Sequence, residues 1–360
     1  MKKLIALIFV AMFFMVTESN AQGCVAIKST GGVCTMDHVG GTIDSSKWSL
    51  NLNNRYFKSF RHFVGTEEQK HRASAGSEVI NHAYTLDISL TRMLNKWWSL
   101  GLSVPIIYNA RSSWYEHDGK TRHNTNSFGL GDIRLTANRW IIDPDKMSKG
   151  NIQVGLGLKL PTGDYTYQDF FYKNDSTQIL GPVDQSIQLG DGGTGISAEI
   201  NSYYNLSKRV GLYGNFYYLA NPREQNGTST ARGGSPSATA IRYGSSTMSV
   251  PDQYMIRGGA NITVNALTVA LGLRKECLPA HDLIGGSSGF RRPGYIISAE
   301  PGITYRIGKT NVYAYLPVAL KRDRTQSVPD KNRTNITGVY AQGDAAFADY
   351  AINLGATFRF

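Results

Sequence analysis

DAAFADYAINLGATFRF, residues 344–360, is the stretch whose reading decides the fold. From Tyr350 onward, Tyr350, Ile352, Leu354, Ala356, Phe358 and Phe360 share one face, while Ala351, Asn353, Gly355, Thr357 and Arg359 share the other. A period of two marks a strand with one apolar and one polar side. In a soluble sandwich it would be a final edge strand with an exposed aromatic end. In an outer-membrane β-barrel it would be the closing strand, apolar face to lipid and polar face to lumen, and Phe358 and Phe360 would be its assembly signal.

Working outward, eleven further segments alternate in the same way: residues 48–60, 82–94, 97–110, 127–142, 151–165, 194–206, 210–220, 253–265, 267–275, 295–307 and 311–321. The connections between them also alternate. Those at 95–96, 143–150, 207–208, 265–266 and 308–309 are short, and those at 61–81, 111–126, 166–193, 221–252, 276–294 and 322–343 are long and polar. Such alternation puts every short turn on one rim and every long loop on the other, as in barrels with short periplasmic turns and long extracellular loops. A sandwich or propeller has no reason to alternate so regularly, and closure removes the unpaired edges that lipid cannot tolerate. The expected fold is therefore all-β: a single transmembrane antiparallel up-and-down β-barrel of about 12 strands in the bacterial outer membrane.

Composition agrees. The 360 residues include 38 Gly and 20 Tyr but only 18% charged residues, and no apolar run after residue 21 is long enough for a spanning helix. Aromatic residues crowd the expected strand ends, as interfacial girdles do: Trp97, Trp98, Tyr108, Trp140, Tyr204, Tyr213, Tyr217, Tyr305 and Tyr313 are examples. Residues 1–21 read as a signal peptide, with Lys2 and Lys3 before a short apolar run and Ala21 at the cleavage site. Lipoprotein processing at Cys24 is the rival, but no aliphatic residue precedes it at the usual position. Residues 22–47 form an N-terminal periplasmic or plug segment, and residues 48–360 the barrel. Cys24 and Cys34 enclose a small loop and are expected to pair in an oxidising compartment, leaving Cys277 over. The formal charge of +11 points to anionic solutes or the phosphates of lipopolysaccharide rather than nucleic acid, which a secreted chain rarely meets.

The polar faces carry the candidate chemistry. Alternation sends Asp87, Asp132, Glu199 and Glu300 inward, together with Arg134, Lys159, Arg257, Arg274, Arg306, Lys321 and Arg359. These charges either pair across a narrow interior or leave basic residues lining a path for an anionic or aromatic solute. No Ser/His/Asp or HExxH arrangement is present. His117, Asp118 and His123 read as solvated loop polars more readily than as a metal site, and neither metal nor cofactor is expected.

Three segments, GLGDIRL (129–135), GLKLPTGD (157–164) and LGDGGTG (189–195), resemble recurrent motifs of an outer-membrane family named for the meta-pathway of phenol degradation, whose members are described as transporters. The resemblance runs from about Asn81 to Phe360. It implies a monomeric-type barrel related to channels for hydrophobic solutes, and it does not name the solute. Residues 24–44 lie outside it and are long enough to enter the lumen as a plug. The functional expectation is a channel or transporter for a small aromatic or anionic solute by passive diffusion. Its partners would be outer-membrane lipid, lipopolysaccharide and the barrel assembly machinery. A structural barrel within a larger complex is the alternative, and a lipid-acting enzyme lacks its Ser/His pair.

Overall fold

The computed structural model describes residues 47–146 and 149–360. The expected signal peptide, the Cys24–Cys34 pair and the plug segment 24–44 lie outside the described residues. The wall is built, in chain order, from β1 (Trp48–Val64), β3 (Ile80–Met93), β4 (Trp98–Ser113), β5 (His123–Leu130) with β6 (Arg134–Trp140), β7 (Gly150–Lys159), β10 (Gly195–Asn205), β11 (Val210–Ala220), β14 (Gln253–Val264), β15 (Leu267–Leu278), β16 (Gly294–Ile307), β17 (Thr310–Tyr315) with β18 (Val318–Arg324), and β19 (Ala345–Arg359). Counting β5 with β6 and β17 with β18 as single wall strands gives twelve, each antiparallel to its neighbours. Closure comes from β19 on β1, with Leu50 opposite Phe358 and Leu52 opposite Ala356. The long loops carry small elements of their own: β2 (Glu67–Glu68), the hairpin β8 (Gln168–Tyr172) and β9 (Gln178–Pro182), and the pair β12 (Gln225–Ser229) and β13 (Thr247–Ser249).

Local chemistry sets the short turns. Asn95 Oδ1 accepts from the backbone N–H groups of Trp97 and Trp98, and Ser207 Oγ accepts from those of Arg209 and Val210. Asn265 adopts the left-handed conformation with φ 57°, which Asn tolerates better than most side chains. On the outer face Leu100, Leu156, Leu271, Leu273 and Leu354 are exposed where lipid covers them. At the periplasmic rim Arg92 and Arg139 stand over the rings of Trp48 and Trp98.

Two wall strands are broken. Between β5 and β6 the chain passes through residues 131–133, and inward parity switches from odd positions such as Thr125 and Ser127 to even ones such as Arg134. β5 pairs with β4 alone, and β7 pairs with β6. Between β17 and β18 the chain passes through Leu316 and Pro317, and β18 meets β19 only at Val318 opposite Tyr350. Pro lacks the N–H that a ladder needs. Arg322 there bonds the Ala348 carbonyl and the Asp349 carboxylate, side-chain contacts where a backbone ladder would otherwise run.

The second break corrects one expectation. A bulge opposite Ile297 and Ser298 places Leu320 and Lys321 side by side on the outside, so Lys321 is exposed on the outer wall and not in the lumen. The girdle reading is corrected too. Tyr213, Tyr217 and Tyr313 are buried on the inner face. Two of these rings, and that of Tyr315, lie over glycines of neighbouring strands. A Cβ on Gly259 would stand 2.7 Å from the Tyr213 hydroxyl, one on Gly302 2.2 Å from the Tyr315 ring, and one on Gly355 2.4 Å from the Tyr313 ring. The Gly-rich, Tyr-rich composition thus becomes flat luminal rings, each seated where a neighbour has no side chain.

Candidate functional site

The inner wall has three polar centres. In the first, Arg257 and Arg274 are direct cross-strand partners on β14 and β15. Like charges so placed repel. Two carboxylates hold them. Glu300 lies 2.7 Å from Arg257 Nε and 3.4 Å from Arg274, and Glu276 lies 2.8 Å from Arg274 and 3.3 Å from Arg55. All five side chains are buried. Arg257 also stands 5.4 Å and 4.9 Å from the ring centroids of Tyr213 and Tyr315. Asp87, buried on β3 opposite Asn53, faces the lumen from the adjoining wall.

The second centre pairs Arg134 with the ring of Tyr217, 5.3 Å from its centroid. Glu199 approaches the same guanidinium from the inner face of β10. Arg134 Nε and Nη1 are buried and have no hydrogen-bond partner among the described residues.

The third joins the three motif segments. Lys159, opposite Arg134 on β7, forms ion pairs with Asp132 at 3.4 Å and with Asp191. Asp132 accepts from the backbone N–H groups of Gly163 and Asp191 at 3.0 Å and 3.2 Å. Gly190 and Gly163 pack backbone to backbone, and a Cβ on Gly190 would fall 2.5 Å from the Gly163 carbonyl oxygen. The residues that made the three segments look like motifs therefore meet in space. They tie the break at 131–133 to the end of β7 and the start of β10.

Of the sequence candidates, Arg257, Arg274 and Glu300 share the first centre, Arg134 and Glu199 the second, and Asp132 and Lys159 the third. Arg306 is exposed and Arg359 half-buried near the periplasmic ends of their strands. Glu276 was missed because the ninth strand was expected to stop at Lys275, whereas β15 runs to Leu278. Arg55 was legible in the alternation Asn51, Asn53, Arg55, all buried.

Above the barrel the long loops are tied to one another. Arg111, at the top of β4, binds Glu116 at 2.6 Å and Asp184 at 3.4 Å. Arg232 reaches the same two carboxylates at 2.6 Å and 3.3 Å, and Arg292 binds Asp184 at 2.6 Å. Burial works to raise the Glu116 carboxyl, but Arg111 and Arg232 outweigh it and hold it below the usual range. Burial likewise opposes ionisation of Asp184, and Arg111 and Arg292 with Arg232 hold it well below. A depressed folded pKa stabilises above the unfolded value and is lost as pH falls through the folded value. The loops are therefore expected to stay tied from pH 7 down to about 4, the ordinary carboxyl range, and to release only below it. Hydrogen exchange of segments 114–122 and 166–194 against pH checks this. Asp184→Asn should bring the release up to neutral pH, and loops that loosen first between pH 7 and 5 would contradict it. His123 nearby stacks on Tyr172 at 4.0 Å and lies 3.5 Å from Asp118, while His117 Nδ1 accepts from the Tyr172 N–H.

No protein-family description matches the chain, and no curated protein matches it. Its fold is similar to that of an outer membrane channel from Pseudomonas putida F1, with a TM-score of 0.55 at 12% identity over 89% of this chain and 97% of the channel. Weaker likenesses run to the translocator domain of an autotransporter from Neisseria meningitidis, with a TM-score of 0.43 at 11% identity over 89% of this chain and 91% of that one. The toluene transporter of Ralstonia pickettii gives 0.41 at 10% identity over 88% and 90%. At such identities the likeness speaks to fold alone. With its closed twelve-stranded wall, apolar outer face and polar inner face, the chain is an outer-membrane β-barrel.

Proposed function

We propose that the barrel is a passive channel for a small aromatic or anionic solute, of the transporter family its three motifs resemble, and that it has no enzymatic role. The observation that carries this is Arg134. A buried guanidinium with two nitrogens lacking partners among the described residues, set over the ring of Tyr217, offers an anion two donors and an aromatic face in one place. A residue placed only to fill the interior would be held by carboxylates, as Arg274 is through Glu276 and Glu300, whereas Arg134 lies in no salt bridge among the described residues. The similarity to a solved outer membrane channel supports the same reading.

The test is flux through proteoliposomes, comparing an aromatic carboxylate, its neutral aromatic counterpart and an aromatic amine of equal size. The carboxylate should cross fastest. Arg134→Ala should slow it by about tenfold, the worth of one charged hydrogen bond, while the amine changes little. Equal effects on all three solutes would remove Arg134 from the path. No flux from the intact protein, together with a partner that co-purifies in mild detergent, would favour a structural barrel.

A further inference from the structure

The outer wall carries a second basic feature that the channel reading does not use. Lys275 on β15 has the parity of the lipid-facing Leu271 and Leu273, and Lys321 is turned outward by the bulge in β18. Both flank one ring. Lys275 Nζ lies 4.8 Å and Lys321 Nζ 5.4 Å from the centroid of Tyr295, and Lys275 is also 5.8 Å from that of Tyr254. Among the described residues neither ammonium group lies in a salt bridge. Strands tilted by about 40° climb about 2.5 Å per residue, so Lys275 stands ~20 Å and Lys321 ~25 Å above the periplasmic ends of their strands. An outer-membrane apolar band is about 25 Å tall, which puts both at its extracellular edge. Immediately above opens a cavity of about 870 Å³ lined by Tyr218, Tyr254, His281, Asp323, Lys331 and Tyr340. Tyr218 and Tyr254 are outward-facing cross-strand partners with parallel rings 6.1 Å apart, so the cavity is floored on the membrane side of the wall.

We propose that Lys275, Lys321 and Tyr295 bind the phosphorylated sugar headgroup of an outer-leaflet glycolipid of the lipid A type. The phosphate lies between the two ammonium groups and the sugar rests against the aromatic floor of the cavity above. Charge, height and shape point to the same occupant. The two lysines are cationic and lie in no salt bridge among the described residues, with Asp323, the cross-strand partner of Tyr295, the carboxylate that faces Lys321. They stand at the level of headgroups rather than acyl chains, and their long stems lie along the apolar wall while their charges reach the interface. The periplasmic rim uses arginines over tryptophans instead.

The test uses the full folded barrel in detergent micelles, with binding read by native mass spectrometry. The probes are bis-phosphorylated lipid A, the same lipid with its phosphates removed, and inorganic phosphate. The phosphorylated lipid should bind about tenfold more tightly than the dephosphorylated one, and millimolar inorganic phosphate should displace little of it. Lys275→Ala with Lys321→Ala should cost about tenfold for the phosphorylated lipid only, whereas Lys275→Arg with Lys321→Arg should retain binding. Arg92→Ala with Arg139→Ala is the control at the opposite rim and should change nothing. Equal binding of the two lipids, equal loss in the control, or full displacement by inorganic phosphate would overturn the proposal. The wild-type comparison of the two lipids decides it even if the alanine pair fails to fold.

Discussion

Glu300→Ala is expected to destabilise the barrel by about 3–5 kcal/mol and to turn its lumen strongly anion-selective. Glu300 is the sole carboxylate that touches both Arg257 and Arg274, among the described residues. Those two arginines face each other directly across β14 and β15. Removing Glu300 leaves Glu276 to serve Arg55 and Arg274, and leaves Arg257, among the described residues, with the rings of Tyr213 and Tyr315. A cation–π contact is worth about 0.5–2 kcal/mol, too little to replace a buried ion pair. Urea unfolding in lipid vesicles measures the first effect, and the reversal potential in a salt gradient measures the second. The double variant Glu300→Gln with Arg257→Met removes both charges and should recover most of the stability, since neutral replacement of a buried pair is often harmless. A single variant as stable as the parent would mean that the network is wet and screened.

Deleting Phe360 is expected to lower folded barrel in the outer membrane by about tenfold while leaving the refolded protein nearly as stable as the parent. The backbone explains the second half. Phe360 exchanges two hydrogen bonds with Trp48, both 3.0 Å, at the last rung of the β1–β19 seam. Two such bonds contribute only about 1–3 kcal/mol net, against a seam of thirteen further residue pairs. The first half rests on the exposed ring at the periplasmic rim, which the barrel assembly machinery is expected to read. Heat-modified gel migration of the membrane fraction, beside the same assay on protein refolded in vesicles, separates the two effects. Normal insertion of the truncated chain would end the reading of Phe360 as an assembly signal.

Much of the wall was legible because lipid and lumen impose a strict period of two. Val210–Ala220 was read without error, and most other strands differ only at their ends. The two broken strands were read as continuous because a break does not disturb composition. Gly131 and Pro317 looked like ordinary members of long segments, yet each marks where the ladder changes partner. That is also why Lys321 was misplaced: one bulged residue reverses every assignment beyond it. The tyrosines Tyr213, Tyr217 and Tyr313 were read as girdle residues because sequence shows an aromatic near a strand end but not the glycine across from it.

Residues 344–360 by themselves determined a strand with one lipid face and one lumen face. Repeated twelve times with alternating connections, that pattern determined a closed barrel and which rim bears the loops. Periodicity suffices there because hydrophobic burial and backbone pairing act locally along each strand. Tertiary structure alone decided which charges meet. Glu300 reaches Arg257 across β15, and Asp132, Lys159 and Asp191 converge from three segments. Those contacts depend on register and bulges, and electrostatic pairing acts over a few ångströms between residues far apart in the chain, where no local pattern records it.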